Sequence, residues 1–354
     1  MTDTTNDPTS EPQAAAISAP NGNGKPPAIV VEKLTKKFGD FTADDALDFT
    51  VLQGEIFGIL GPNGAGKSTL IRMLNTLLVP TSGRATVMGH DVARETVAVR
   101  HEIGVIPQGN TVDGDLTAWE SLDLYGKFYG MGRRQRQQRA RELLEAVGLT
   151  EWKDKAAGTY SGGMRRRLEI ARGLIHRPHV FILDEPTTGL DPQSRRVIWE
   201  LLERLRAEGD LTILLCTHYM DEADRLCDRL AIVDHGKIVA LGTPRELKAT
   251  VPGKDVLTVR FLKEVDPALL AALKALPEVH EAGIEEPHVA RLSLAADVVP
   301  MEGVTEASRA HDNRVQNITL LEPTLEDVFI HYTGRGLRDA AAGEYTYAMP
   351  AIMR

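Results

Sequence analysis

Ile56-Phe57-Gly58-Ile59-Leu60-Gly61-Pro62-Asn63-Gly64-Ala65-Gly66-Lys67-Ser68-Thr69 is the stretch that decides how this chain folds. The short apolar run from Ile56 to Leu60 reads as a buried strand. Directly after it, Gly61 to Ser68 satisfies G-x-x-x-x-G-K-[ST] and leads into a helical run, which is the context that this motif requires. Its glycines let the backbone wrap around phosphates without side-chain obstruction. Lys67 is then expected at the β- and γ-phosphates, and the Ser68 hydroxyl on Mg²⁺.

Four further segments match this chemistry. Val180-Phe181-Ile182-Leu183-Asp184-Glu185-Pro186 puts two carboxylates at the end of an apolar strand, where an open α/β sheet has its ligand crevice. Asp184 is expected to hold the magnesium ion, directly or through water, and Glu185 to orient or deprotonate the attacking water. Gln108, after Gly104-Val105-Ile106-Pro107, has a side chain able to touch both metal and water. His218, after the strand-like Thr212-Ile213-Leu214-Leu215-Cys216-Thr217, is a lone strand-end histidine. By themselves an exposed loop glutamine and a structural histidine are the ordinary readings of these two; they gain weight from the set. Tyr160-Ser161-Gly162-Gly163-Met164 is a glycine turn opening a helix, a second anion-binding surface of bare N–H groups and a hydroxyl.

The 354 residues allow one large and one small domain. The net charge of −9 argues against a general nucleic-acid binder. Two cysteines, Cys216 and Cys227, make no disulfide framework and suggest a reducing compartment. No apolar run approaches the ~18 residues of a membrane span, and the N-terminus lacks the charged start and apolar core of a signal peptide. The expected organisation is a disordered leader over 1–27, an α/β domain over 28–250 with a helix-only insertion at about 117–173, a small α/β sandwich over 255–335 and a loosely held tail over 336–354. Leu122, Leu124, Tyr125, Phe128, Leu143, Leu144 and Val147 are the core candidates of the insertion. Its basic run from Arg133 to Arg141 offers an anion or membrane-surface patch as one reading, and a solvated helix face as the favoured one. In the last segment, Val256 to Phe261 reads as a strand, Pro267 to Leu276 as a helix, and Thr324 as the N-cap of a helix over Leu325 to Phe329.

With these motifs in this order, the chain from about Ile29 to Leu247 resembles the nucleotide-binding subunit of an ATP-binding cassette (ABC) transporter. The resemblance implies a P-loop NTPase fold of central sheet and inserted helical subdomain. It also implies that Phe38 stacks on adenine and that Gly61 to Thr69 is the Walker A loop. Gln108 becomes the Q-loop residue linking the γ-phosphate to a membrane partner, and Asp184 and Glu185 the Walker B pair. Gly189-Leu190-Asp191 becomes the D-loop, and His218 the switch histidine at the γ-phosphate. Tyr160 to Met164 is similar to the signature Leu-Ser-Gly-Gly-Gln, with Tyr160 and Met164 departing at its ends and Ser161, Gly162 and Gly163 intact. Met164-Arg165-Arg166-Arg167 and Leu321-Glu322-Pro323-Thr324-Leu325-Glu326-Asp327-Val328-Phe329 resemble the branch of daunorubicin-resistance exporter ATPases.

That branch implies ATP and Mg²⁺ as ligands, a second copy of the chain completing each site head to tail, and separate ABC-2-type permeases at the cytoplasmic face of the cell membrane. The cargo implied is a drug, lipid or glycan. Two other readings stand beside this one. A soluble ABC ATPase acting on ribosomes or DNA usually joins two cassettes or inserts a coiled coil or zinc module, and this sequence has neither the sustained heptads nor the cysteines. A non-hydrolysing regulatory subunit is disfavoured by intact Glu185 and His218.

Overall fold

Two long strands open the described residues. β1 (Pro27–Phe38) and β2 (Phe41–Leu52) pair antiparallel, with Phe38 opposite Phe41 across the turn. They come from a computed structural model that describes residues 24–207, 211–251, 256–294, 299–321 and 323–334. The tail expected over 336–354 lies outside the described residues, as do residues 1–23 of the expected leader.

The rest of the first compact unit, which ends at Pro244, is built around the decisive stretch. β3 (Ile56–Leu60) runs into the glycine-rich loop and then α1 (Lys67–Leu74). β4 (Ser82–Val87), β5 (His90–Asp91), α2 (Thr96–Glu102) and β6 (Ile103–Ile106) follow. Next come α3 (Ala118–Phe128), α4 (Arg133–Ala146) and α5 (Gly162–Gly173), a stretch with no named strand among the described residues. β7 (Val180–Asp184), α6 (Pro192–Ala207), β8 (Thr212–Thr217), α7 (Met220–Leu226), β9 (Arg229–Asp234) and β10 (Lys237–Gly242) complete it.

The main sheet has the order β10-β9-β3-β8-β7-β6 and is parallel except for β10. Strands in the middle of a parallel sheet are covered on both faces, so they read as continuous apolar runs. Every residue of β3, β7 and β8 is buried. A second, antiparallel sheet, β2-β1-β4-β5, is not visible in the apolar runs alone. Its inner face packs on the main sheet, with Phe49 stacked on Phe57 at 5.4 Å. Burying one such ring contributes about 1.5–3 kcal/mol, so this pair alone is a substantial tie between the two sheets.

The helical segment corrects two expectations. Leu122, Leu143, Leu144 and Val147 are buried, but Leu124 and Tyr125 are only partly so and Phe128 is 71% exposed. α3 turns Ala118, Ser121, Leu122 and Gly126 inward instead. Phe128 lies two residues past Gly126, about 200° further round the helix, and so faces outward. Gly126 is needed because a Cβ there would lie 2.8 Å from Cβ of Arg136 on α4. The basic run is not all solvated either. Arg136 is tied to Asp123, Arg139 to Glu142 and the Leu174 carbonyl, and Arg141 covers the Trp119 ring.

α8 (Pro244–Ala249) begins the second unit, which spans Arg245–Gly334. It contains β11 (Val256–Phe261), α9 (Pro267–Lys274), β12 (Val279–Glu286), β13 (Val289–Leu294), α10 (Met301–Ala310), β14 (Val315–Leu321) and α11 (Leu325–Thr333). Its antiparallel sheet has the order β12-β13-β11-β14, and the two helices α9 and α10 pack with it through Leu269, Leu273 and Val304. Thr324 and Asp327 form a reciprocal cap at the start of α11.

Candidate functional site

Strands β3, β7 and β8 are neighbours in the sheet and end side by side, so their following loops meet. After β3, Gly61 sits where a Cβ would fall 2.3 Å from the Val233 carbonyl oxygen, and Gly66 takes φ +112°, which few side chains tolerate. Lys67 comes next, 5% exposed, donating from Nζ to the carbonyls of Gly61 (2.7 Å) and Pro62 (2.9 Å). Burial holds its pKa below the usual lysine range, against the raising effect of Glu185, Cys216 and Asp184. The loop is thus a cradle of backbone with one ammonium at its base.

β7 delivers the two carboxylates. Glu185 adopts a left-handed backbone, φ +48°, a conformation that costs of order 1–3 kcal/mol for such a residue and is found where function requires it. The carboxylate collects four partners. Oε2 accepts from Gln108 Nε2 at 2.9 Å and from Thr188 Oγ1 at 3.2 Å. Oε1 lies 3.0 Å from His218 Nδ1 and 3.8 Å from Lys67 Nζ. Burial pushes this carboxyl up, but His218, Lys67 and Thr188 outweigh burial and hold it below the usual carboxylate range. Asp184 goes the other way: burial and the Glu185 charge raise it, against Lys67, a hydrogen bond from Ser68 and Arg166. Its Oδ1 is buried with no hydrogen-bond partner among the described residues. A buried, electron-rich oxygen beside the Ser68 hydroxyl is the donor set a hard cation takes.

Sequence reasoning missed Thr188, which donates to Glu185, and Arg166. In the sequence Arg166 reads only as part of a basic triplet after the glycine turn, yet its guanidinium reaches across from α5 to the loops after β6 and β7. Nε donates to Pro186 O (2.7 Å), Nη1 to Pro107 O (3.0 Å) and Glu169 Oε2 (2.9 Å), and Nη2 to Asp184 O (3.2 Å) and Glu185 O (3.3 Å). The only hint in the sequence is Glu169 one helical turn on, which a helix sets beside Arg166.

The remaining expected residues fall into three places. Ser161, immediately before α5, caps that helix by accepting from Met164 N at 3.2 Å. Together with Gly163, Met164, Arg167, Asp191, Gln193, Ser194 and Val197 it lines a second cavity of about 260 Å³, separate from Lys67. Asp191 itself caps α6 through Ser194 (2.9 and 2.6 Å). Phe38 lies at the end of β1, 48% exposed, with Lys36 Nζ 5.2 Å from its ring centre. Asn63, Gly64, Ala65 and Thr69 belong to the cradle and its first helical turn, and Gly162 begins α5.

A parallel sheet with a glycine-rich loop and its lysine, a strand-end carboxylate pair and a capped glycine turn on an inserted helical segment defines the ABC-type ATPase of the P-loop NTPase class. Comparison with known proteins agrees. Residues 45–188 match the ABC transporter family, and residues 242–333 match the C-terminal domain of DrrA1-3-like ATP-binding proteins. The chain is 42% identical to the daunorubicin resistance ATP-binding protein DrrA3 of Streptomyces coeruleorubidus, over 89% of this chain and 99% of that protein. It is 38% identical to the linearmycin resistance ATP-binding protein LnrL of Bacillus subtilis (88% and 100% covered). It is 40% identical to the Nod factor export ATP-binding protein I of Ralstonia nicotianae (90% and 97%). Among solved structures, cbiO1 of Clostridium perfringens, part of the cbiONQ transporter complex, superposes with a TM-score of 0.59 at 30% identity, covering 63% of this chain and 91% of that one. A dimeric ATP-binding cassette in a post-hydrolysis state with ADP and Pi gives 0.55 at 27% identity (61% and 98% covered). This chain belongs to the ABC transporter ATP-binding proteins, in the family that carries a DrrA-like C-terminal domain, and it is an ATPase subunit of such a transporter. No helix among the described residues is long and apolar enough to cross a membrane.

Proposed function

We propose that this subunit binds ATP with Mg²⁺ at a head-to-tail dimer interface and hydrolyses it to drive export of a drug, lipid or glycan through separate ABC-2-type permeases. The observation that carries the reading is the convergence of Lys67, Gln108, Thr188 and His218 on the one Glu185 carboxylate. An ionised carboxylate held from several sides is a fixed base for a water molecule. Lys67 turns from its loop carbonyls to the β- and γ-phosphates, and His218 supports charge on the γ-phosphate as the bond breaks. Ser68, Gln108 and Asp184 would hold Mg²⁺, which would supply positive charge to offset that of the phosphates. Phe38 offers its exposed face to adenine.

Ser161, Gly162, Gly163 and Asp191 serve a second copy's ATP, because a chain with one cradle and one separate signature surface closes two complete sites only by pairing around a two-fold axis. Daunorubicin resistance and Nod factor export in the relatives' names support an export role at the cytoplasmic face of the cell membrane. In the same reading, 28–250 is the ATP-binding domain, its helical part spans about 117–173, and 255–335 is a small accessory domain. The test is purification of the tagged full chain from detergent-solubilised membranes. Co-purification of a six-helix integral membrane protein supports transport; co-sedimentation with ribosomes or DNA instead overturns it.

A further inference from the structure

One carboxylate beside the phosphate cradle has no part in this hydrolysis. Asp44 of β2 is 0% exposed, and neither of its carboxylate oxygens has a hydrogen-bond partner among the described residues. An ionised carboxylate without a partner is among the costliest groups to bury, and the usual resolution is to stay protonated. Its place is directly against the loop: a Cβ on Gly66 would fall 2.3 Å from Asp44 Oδ1. Glycine at 66 therefore provides both the left-handed backbone and the room that Asp44 fills.

Among the described residues, the surrounding elements bring no compensating charge to it. Lys67 directs its ammonium to the Gly61 and Pro62 carbonyls. Lys36, the register partner of Asp44 on β1, donates to Val79 O at 2.8 Å. Asp45, the next residue, pairs with Lys237 at 3.3 Å, and on the β9–β10 turn Asp234 and His235 stand 3.9 Å apart. Burial alone pushes the Asp44 carboxyl up to about 7.

We infer that Asp44 is a further affinity-determining residue of the ATP site: as the neutral acid it supports Gly66 from beneath, and as the carboxylate it opposes a polyphosphate in the loop above. This rests on the reading of Gly61 to Thr69 as the ATP cradle. The sign comes from electrostatics. Bound ATP raises the proton affinity of Asp44 further, so binding near neutral pH takes up a proton, and affinity falls as pH rises through the range where Asp44 ionises. A residue that only packed the loop would change affinity equally at every pH.

The experiment is calorimetric titration of the full chain with Mg²⁺-free ATP, which is not hydrolysed, from pH 6 to 8.5 in two buffers of different ionisation enthalpy. Wild type, Asp44→Asn and Asp44→Val are compared. Wild type is expected to lose roughly ten-fold more affinity over this range than either variant, the size of a single carboxylate acting through a partly shielded medium. At pH 7.5 it should also take up protons that the variants do not. Equal pH slopes and equal proton counts in wild type and Asp44→Asn overturn the inference. If neither variant folds, the absence of proton uptake by wild type overturns it instead. Failure of wild type to bind ATP at any pH strikes at the ATP assignment itself, a distinct outcome.

Discussion

His218 Nδ1 stands 3.0 Å from Oε1 of Glu185, although the two residues lie after different strands. The contact exists because β7 and β8 are parallel neighbours with Asp184 opposite Cys216, so both strands end at the same level of the sheet. The sheet, not either loop, sets this distance.

Replacing Glu185 by Gln keeps the shape of the side chain and removes its charge. Steady-state phosphate release should slow by ~10²–10⁴-fold, the range for losing a positioned general base. Nucleotide affinity, measured by equilibrium titration, should change little. Unchanged turnover would sink the role assigned to Glu185.

With Glu185 as the proposed base, its lowered pKa sets the direction of the pH dependence expected for hydrolysis. A carboxyl held below its ordinary range stays ionised as pH falls through that range, and its contribution is lost only at lower pH. Hydrolysis should therefore show no loss of this base between pH 8 and about 5, given an ordinary glutamate value near 4.3. His218→Ala removes one of the groups that lowers it, so the acid limb of the residual rate should move to higher pH. A pH–rate profile of both proteins checks the direction.

Ser161 faces the second cavity, so Ser161→Arg should obstruct a partner's nucleotide while leaving the chain's own cradle intact. Loss of the helix cap costs about 1 kcal/mol, too little to unfold the unit. In a Glu185→Gln background, size-exclusion chromatography with ATP should give dimers for the parent and monomers for the double variant. Persisting dimers would count against a site shared between two chains.

Arg166 holds five acceptors with one planar fork, a geometry that lysine cannot reproduce. Arg166→Lys should leave several buried carbonyls unpaired, at about 1–3 kcal/mol each. A loss of at least about 2 kcal/mol in chemical denaturation is expected, together with a fall in kcat greater than any change in KM. A fall in stability with kcat unchanged would reduce Arg166 to a packing role.

The cradle was legible because all of its parts lie within one short run from Ile56 to Thr69, where strand, loop and helix spacing speak directly. The carboxylate pair was legible for the same reason. Phe128 misled because an apolar residue in a helical pattern looks inward unless the partner helix is known. Gly126, whose bareness admits Arg136, is the actual contact. Arg166 was hidden because its acceptors are mostly main-chain carbonyls, which have no letter in a sequence.

By itself the sequence determined the chemistry on offer: the cradle of Gly61 to Thr69, the Asp184 and Glu185 pair, and the Ser161-Gly162-Gly163 turn. These depend on local backbone freedom and on side-chain type, both of which are written residue by residue. Tertiary structure decided how they are joined and what surrounds them: His218 and Gln108 on Glu185, Arg166 across two loops, Phe49 on Phe57, and Asp44 sealed beneath Gly66. Most of these link residues far apart in the chain, and their distances and burial arise from strand order and packing, which local spacing does not encode.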